Sequence, residues 1–227
     1  VALPTSSRPH VRPRRVMVAI KLFENARLLI SDLRLAPGQL GGAGRHDFPT
    51  LRWQVGDGMH RLEGAPPAAV KDKATFWVEP GQPFRVENCG ESEYRQICWE
   101  FKCAPQRSED AVRKLLDNAK FTTDVGTELL FENAYCRVWD FCLPPGGGDP
   151  NVPHHHVLDY AFVYVAKGRL LGYSADGQPG LFDSTNEDGD VSWFDIPEGA
   201  GADPAYAHGG RNGYDDLPMR EYLVELK

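Results

Sequence analysis

The chain has 227 residues, 41% of them hydrophobic, and a net charge of −7 from 32 acidic and 25 basic side chains. That length suits two domains of about 100 residues, each able to bury a core. The acidic balance argues against a nucleic-acid partner, which needs clustered Lys and Arg, and no apolar run approaches the ~18 residues of a membrane span.

Residues 1–20 stand apart as a basic arm in which Arg8, Arg12, Arg14 and Arg15 occur with no acidic residue. Such a segment reads either as a disordered arm or as the remnant of a transit peptide, pointing to the cytoplasm or an organelle interior. From there on the 18 prolines and 23 glycines break the chain into short segments. Turns at that density predict an all-β architecture of antiparallel, jelly-roll type. Cys89, Cys98, Cys103, Cys136 and Cys142 are odd in number and include no CxxC pair. They read as small buried hydrophobes rather than a secreted disulfide framework.

An internal repeat organises the rest. Phe23-Glu-Asn-Ala26 recurs as Phe131-Glu-Asn-Ala134 at an offset of 108, with Asp32, Leu35 and Pro37-Gly38 matched by Asp140, Leu143 and Pro145-Gly146. Further on, Arg95–Lys102 echoes Arg220–Lys227 at an offset of 125. The growth in offset places 17 extra residues inside the second copy, and the polar stretch Ser174–Gly189 is the expected site, as an inserted loop. Between the copies Ser108 suits an N-cap, Glu109 and Asp110 a first turn, and Val112, Leu115, Leu116 and Ala119 one helical face. The expected organisation is therefore a first domain over 21–104, a linker helix over 105–120 and a second domain over 121–227. Strands are expected at Ala134–Leu143, Tyr160–Ala166, Arg169–Tyr173, Val191–Ile196 and Glu221–Leu226. The acidic run Asn186–Asp190 lacks calcium-loop spacing and reads as a solvated loop.

The strongest chemical signal is Gly148-x5-His154-His155-His156, followed by Asp159-Tyr160. Alternate side chains of a strand share a face, so His154 and His156 are expected to point together and His155 the other way, outward or into an interface. A third imidazole would come from His208, in His208-Gly-Gly-Arg-Asn212 after Pro197-Glu-Gly199.

These two motifs resemble those of the cupin superfamily, and the second half is similar to small cupins of β-alanine degradation. The resemblance implies two tandem cupin barrels, the second holding one divalent metal ion through His154, His156 and His208. Iron, zinc, manganese, nickel and copper all suit three neutral imidazoles. Where the family pattern has a glutamate ligand, this chain has Tyr160, a candidate proton donor, hydrogen-bonding group or wall; Asp159 has the opposite parity. Aligning Val55 with Val165 puts His46 at His156, Gly44 at His154, Thr50 at Tyr160 and Phe84 at His208. One histidine of three survives, so the first barrel is expected to be metal-free and to serve packing, lid formation or dimerisation. The implied function is a mononuclear-metal enzyme, dioxygenase-like or an isomerase or lyase, acting on a small polar or anionic molecule. A non-enzymatic binding or accessory subunit stands beside it, and the family's habit of pairing through sheet edges leaves a homodimer open.

Overall fold

A computed structural model describes residues 16–227, so the expectations for the N-terminal arm, and for His10, lie outside the described residues. The first half is built from β1 (Val16–Met17), β2 (Ile20–Glu24), β3 (Leu28–Leu35), β4 (Leu40–Arg45), β5 (Thr50–Val55), β6 (Gly58–Leu62), β7 (Ala68–Val70), β8 (Thr75–Val78), β9 (Pro83–Asn88) and β10 (Tyr94–Phe101). A helix, α1 (Glu109–Asp117), follows. The second half has β11 (Glu128–Glu132), β12 (Cys136–Leu143), β13 (Tyr160–Tyr164), β14 (Gly168–Ser174), β15 (Pro179–Asn186), β16 (Val191–Phe194), β17 (His208–Asn212) and β18 (Met219–Leu226).

The two halves carry the same large sheet. Its strand order is β2-β3-β10-β5-β8 in the first and β11-β12-β18-β13-β16 in the second, strand for strand. The local details repeat as well. A register shift at Lys21/Phe23 is matched at Leu129/Phe131. Asn25 Oδ1 accepts from the backbone of Arg27 and Leu28, as Asn133 Oδ1 does from Tyr135 and Cys136. That Asn turn is why β12 starts at Cys136 and not at Ala134. In α1, Ser108 caps as its sequence suggests, accepting from Ala111 N at 3.3 Å.

Each large sheet is buried on both faces, because the two sheets pack on each other. In β10 the odd residues Ile97, Trp99 and Phe101 join Val138, Val163, Tyr222 and Val224 in one core between the halves. Trp53 stacks on Tyr222 with ring centroids 3.7 Å apart and planes 6° apart. Ion pairs close the rim: Arg95 with Asp32 and Asp188, Arg220 with Asp140 and Asp72. The run Asn186–Asp190 is thus no free solvated loop. Its Asp188 binds Arg34 and Arg95 of the first half, at 2.7 Å each.

The opposite faces of the large sheets look into the barrels. Leu33, Leu35, Val86, Tyr94 and Cys98 fill the first, and the second sheet is faced by a smaller one of order β15-β14-β17. The stretch Ser174–Gly189, expected as a loop, instead folds largely as β15, paired to β14 along a hairpin. Its alternation explains this: Phe182, Ser184 and Asn186 turn toward the barrel and are half-buried, while Leu181, Asp183 and Thr185 are exposed, Asp183 pairing with Arg169 at 2.7 Å. All five thiols are free. No helix among the described residues is long and apolar enough to cross a membrane.

Candidate metal centre

The segment Asn151–Asp159 is extended but is not a ladder strand, contrary to the expectation from alternation. It is held by isolated bridges, His154 to His208 and His154 to Thr122. The strand β17 that brings His208 lacks side chains at the two following positions for a reason. A Cβ on Gly209 would come 2.1 Å from Val152 Cγ1, and one on Gly210 2.7 Å from Leu170. Gly209 thus makes room for Val152 of the histidine segment, and Gly210 for Leu170 of β14. From below, Val157 and Leu158 pack on Val112, Leu115 and Leu116 of α1, so the linker helix is also a brace for the site.

These contacts bring His154, His156 and His208 together, with one ring nitrogen from each inside a 4.8 Å span. Nδ1 of His154 lies 3.1 Å from the Asn151 carbonyl oxygen, and Nδ1 of His208 3.3 Å from that of Tyr206. Both rings therefore present Nε2 to the centre. The buried Asp149 carboxylate stands 2.9 Å from His154 Nδ1, and its other oxygen fixes the turn by accepting from Asn151 N at 2.8 Å. Burial and the His154 imidazole push His208 down to about 4 and His156 well below its usual value. His156 and His208 are therefore neutral at pH 7, the form that ligates a cation.

Tyr160 shares the cavity but is not in the nitrogen cluster. Its ring is sandwiched between His156, at 3.8 Å and 13°, and Phe194, at 4.8 Å and 14°. Burial raises its phenol above the ordinary value, so it stays protonated. Asp159 turns the other way, as its parity requires, to pair with Arg27 and accept from Ile196 N at 2.7 Å. His155 is buried, not outward: its backbone donates to Thr122 O at 2.8 Å and its ring packs 5.4 Å from Phe121. Asn212, the last residue of the second motif, is a structural staple. Its Nδ2 donates to the carbonyls of Pro144 and Leu217, as Asn88 does to those of Leu35 and Ser92 in the first half.

Beside the histidines lies a cavity of about 400 Å³. Its wall is largely apolar, with Phe141, Phe162, Phe182 and Phe194 prominent, and Leu181 and Phe182 come from the inserted hairpin. The stretch between Gly199 and His208 folds into two short 3₁₀ turns, Ala200–Ala202 and Pro204–Tyr206, and Tyr206 adds to the rim.

Two residues that motif spacing does not mark belong to this region. One is Asp149 behind His154. The other is Glu221 of β18, a buried carboxyl that lines the cavity and that burial pushes up to about 7. Strand parity was the available signal: Met219, Glu221, Leu223 and Glu225 alternate with the residues of the inter-half core. Glu225 itself is neutralised in place, bound by Arg137 at 2.9 Å and Trp139 Nε1 at 3.0 Å.

The first barrel has no such centre among its described residues. His46 Nε2 lies 3.3 Å from Arg52 Nη1, and the Arg52 guanidinium sits 3.1 Å over the Phe84 ring. A buried cation thus occupies the ground between the counterparts of His156 and His208.

Two facing sheets with a histidine cluster at one end make this a protein of cupin fold, with two barrels in tandem. No family model matches the sequence, and no curated protein matches it. Among solved structures it is similar to AerE from Microcystis aeruginosa, at 10% identity over 92% of this chain and 97% of that one, with a TM-score of 0.57. It is also similar to YhaK from Escherichia coli, at 14% identity over 87% and 84% and a TM-score of 0.51. A cupin 2 conserved barrel domain protein from Leptotrichia buccalis aligns over 99% of this chain and 92% of its own, at 13% identity and a TM-score of 0.45.

Proposed function

We propose that the second barrel binds one divalent metal ion through His154, His156 and His208 and acts there on a small molecule held in the adjoining cavity. The observation that carries this is the convergence of three imidazoles, two with Nδ1 engaged by backbone, at the wall of a cavity large enough for a ligand. The donor set fits the ion: three nitrogen ligands without a carboxylate suit iron, zinc, manganese, nickel or copper and leave coordination positions open. When bound, such an ion supplies Lewis acidity or activates dioxygen or water. The chain's own contribution is positional. The Asn151 carbonyl holds the tautomer of His154, with the Asp149 carboxylate charge beside the same nitrogen, Tyr160 clamps His156 by stacking, and the phenylalanine wall limits water at the reacting end. We read the Tyr160 hydroxyl, kept protonated by burial, as a hydrogen-bond donor to the ligand.

Dioxygenase-like oxidation is the leading reaction, with isomerase or lyase action second; the cavity beside the histidines supports a working site over a closed structural one. The test is oxygen consumption and product analysis with protein reconstituted separately with Fe(II), Mn(II), Ni(II), Cu(II) and Zn(II), over a panel of small acids and diketones. Metal-dependent turnover lost in His156→Ala supports the reading. Metal binding without turnover of any panel member, in a site whose coordination is complete, assigns the protein to the accessory-subunit alternative.

A further inference from the structure

Away from the histidines the cavity offers a ligand no positive charge to pair with. Among the described residues that line it there is no Lys or Arg, and Glu221 is the one acid. Arg137 of the same sheet is held by Glu225 at 2.9 Å, and Arg169 of the hairpin by Asp183 at 2.7 Å. The polar groups of the far end answer one another, because the Tyr164 hydroxyl stands against Glu221, Ser184 and Asn186. A second charge on a ligand would therefore be buried without a partner, which is strongly disfavoured.

What the wall does offer is flat and apolar. The rings of His156, Tyr160 and Phe194 lie nearly parallel in one column, at 13° and 14°. Phe182, from the inserted hairpin, stands edge-on to His208, with centroids 5.9 Å apart and planes at 78°. It reaches that place because β14 has Gly172 beside it, where a Cβ would come 2.5 Å from the Phe182 ring. The apolar surface continues to the mouth, where Leu181, Phe194 and Tyr206 line the cavity yet stay 49%, 40% and 48% exposed. Apolar patches left open in this way mark binding surfaces.

The first barrel has no such wall. Its corresponding return strand, β7, is three residues long and carries no ring. Strand register sets Arg52 opposite Cys98 and Phe162 opposite Leu223, so the first barrel has a buried cation where the second has a phenylalanine. The change of chemistry between the copies is from a charged interior to an aromatic one.

We infer that the ligand of the second barrel is a chelator with a flat apolar body, uncharged beyond the atoms that meet the metal, and that Phe182 of the inserted hairpin selects it. This narrows the small polar or anionic molecule of the sequence reading to one whose charge is confined to the metal end. The inference rests on the metal site proposed above. A volume of about 400 Å³ suits such a body, being within the range of pockets that enclose small organic ligands.

The experiment titrates catechol, 4-propylcatechol and 3,4-dihydroxyphenylacetate into Zn(II)-loaded full-length protein by calorimetry. The three share one chelating end and differ in the body, which is absent, apolar or anionic. 4-Propylcatechol should bind at least about tenfold tighter than catechol, from burial of its alkyl carbons. It should bind at least about thirtyfold tighter than the carboxylate, which gains no partner in the cavity. Phe182→Ala should cut the advantage of 4-propylcatechol over catechol below about threefold with Zn(II) uptake unchanged, and Phe182→Leu, which keeps an apolar side chain, should retain most of it. Binding of the carboxylate as tight as that of 4-propylcatechol, binding of none of the three, or a propyl advantage that survives Phe182→Ala overturns the inference. Absence of Zn(II) uptake, or probe affinity that is the same with and without the metal, overturns the metal reading instead.

Discussion

Asp149→Asn is the substitution that most cleanly separates a built metal centre from three histidines that happen to meet. The carboxylate lies 2.9 Å from His154 Nδ1 and its side chain is fully buried. It therefore acts on the imidazole with little screening by water. Asparagine keeps the size and the Oδ1 acceptor that holds the Asn151 turn, and removes the negative charge. Groups behind a metal-bound histidine are typically worth 10- to 100-fold in affinity. Full burial argues for the upper part of that range, about 30- to 100-fold, or ~2.0–2.7 kcal/mol. The assay is competition for Zn(II) against a chromophoric chelator, with thermal melting of the metal-free protein run alongside to show that the fold is unchanged. A variant that folds normally and holds Zn(II) within twofold of wild type would refute the assignment of Asp149 and weaken the centre it supports.

Three other outcomes follow from the same structure. Trp53→Ala removes a fully buried ring stacked on Tyr222. It should destabilise the protein by about 3–5 kcal/mol, with fluorescence and circular dichroism in urea showing both halves lost in one transition rather than the first alone. Phe84→His in the first barrel restores a second imidazole but should not raise metal content above one ion per chain by elemental analysis. A guanidinium and a divalent ion ~4 Å apart repel by about 8 kcal/mol at an effective dielectric of 20, and Arg52 is already there. Glu221, raised to about 7 by burial, binds its proton more tightly folded than unfolded. Its stabilisation is complete below pH ~4.5 and is lost as the pH rises through about 7. Denaturant melts of metal-free wild type should therefore lose ~3 kcal/mol between pH 4.5 and 7.5 relative to Glu221→Gln, and parallel pH curves for the two proteins would contradict this.

Much of the architecture was legible because it depends on local chemistry. Asn25 and Asn133 end turns in the same way, Ser108 caps a helix, and alternation in β18 places Glu221 inward whatever the partner strand. The meeting of His154, His156 and His208 was legible from the spacing of the two motifs that carry them, and Gly209 beside His208 makes room for Val152 of the histidine segment. What the sequence hid was mostly long-range. His155 reads as outward by parity, yet α1 and Phe121 cover that side of the segment. Ser174–Gly189 is polar enough for a loop, but Leu181 and Phe182 recruit it as a cavity wall. The acidic run at Asn186–Asp190 looked solvated because its partners, Arg34 and Arg95, are about 90 to 150 residues distant. Arg52 carried no motif at all, and only the packed barrel shows that it lies between His46 and Phe84, the counterparts of His156 and His208.

The most direct test is a metal titration of wild type beside His154→Ala, His156→Ala and His208→Ala, following the visible bands of Co(II) and the stoichiometry by elemental analysis. One ion per chain in wild type, with ligand-field bands of a nitrogen-bound site that vanish in each variant, is the result expected. No uptake by wild type after reconstitution with every candidate metal, or uptake that survives the loss of any one of the three histidines unchanged, would contradict the centre.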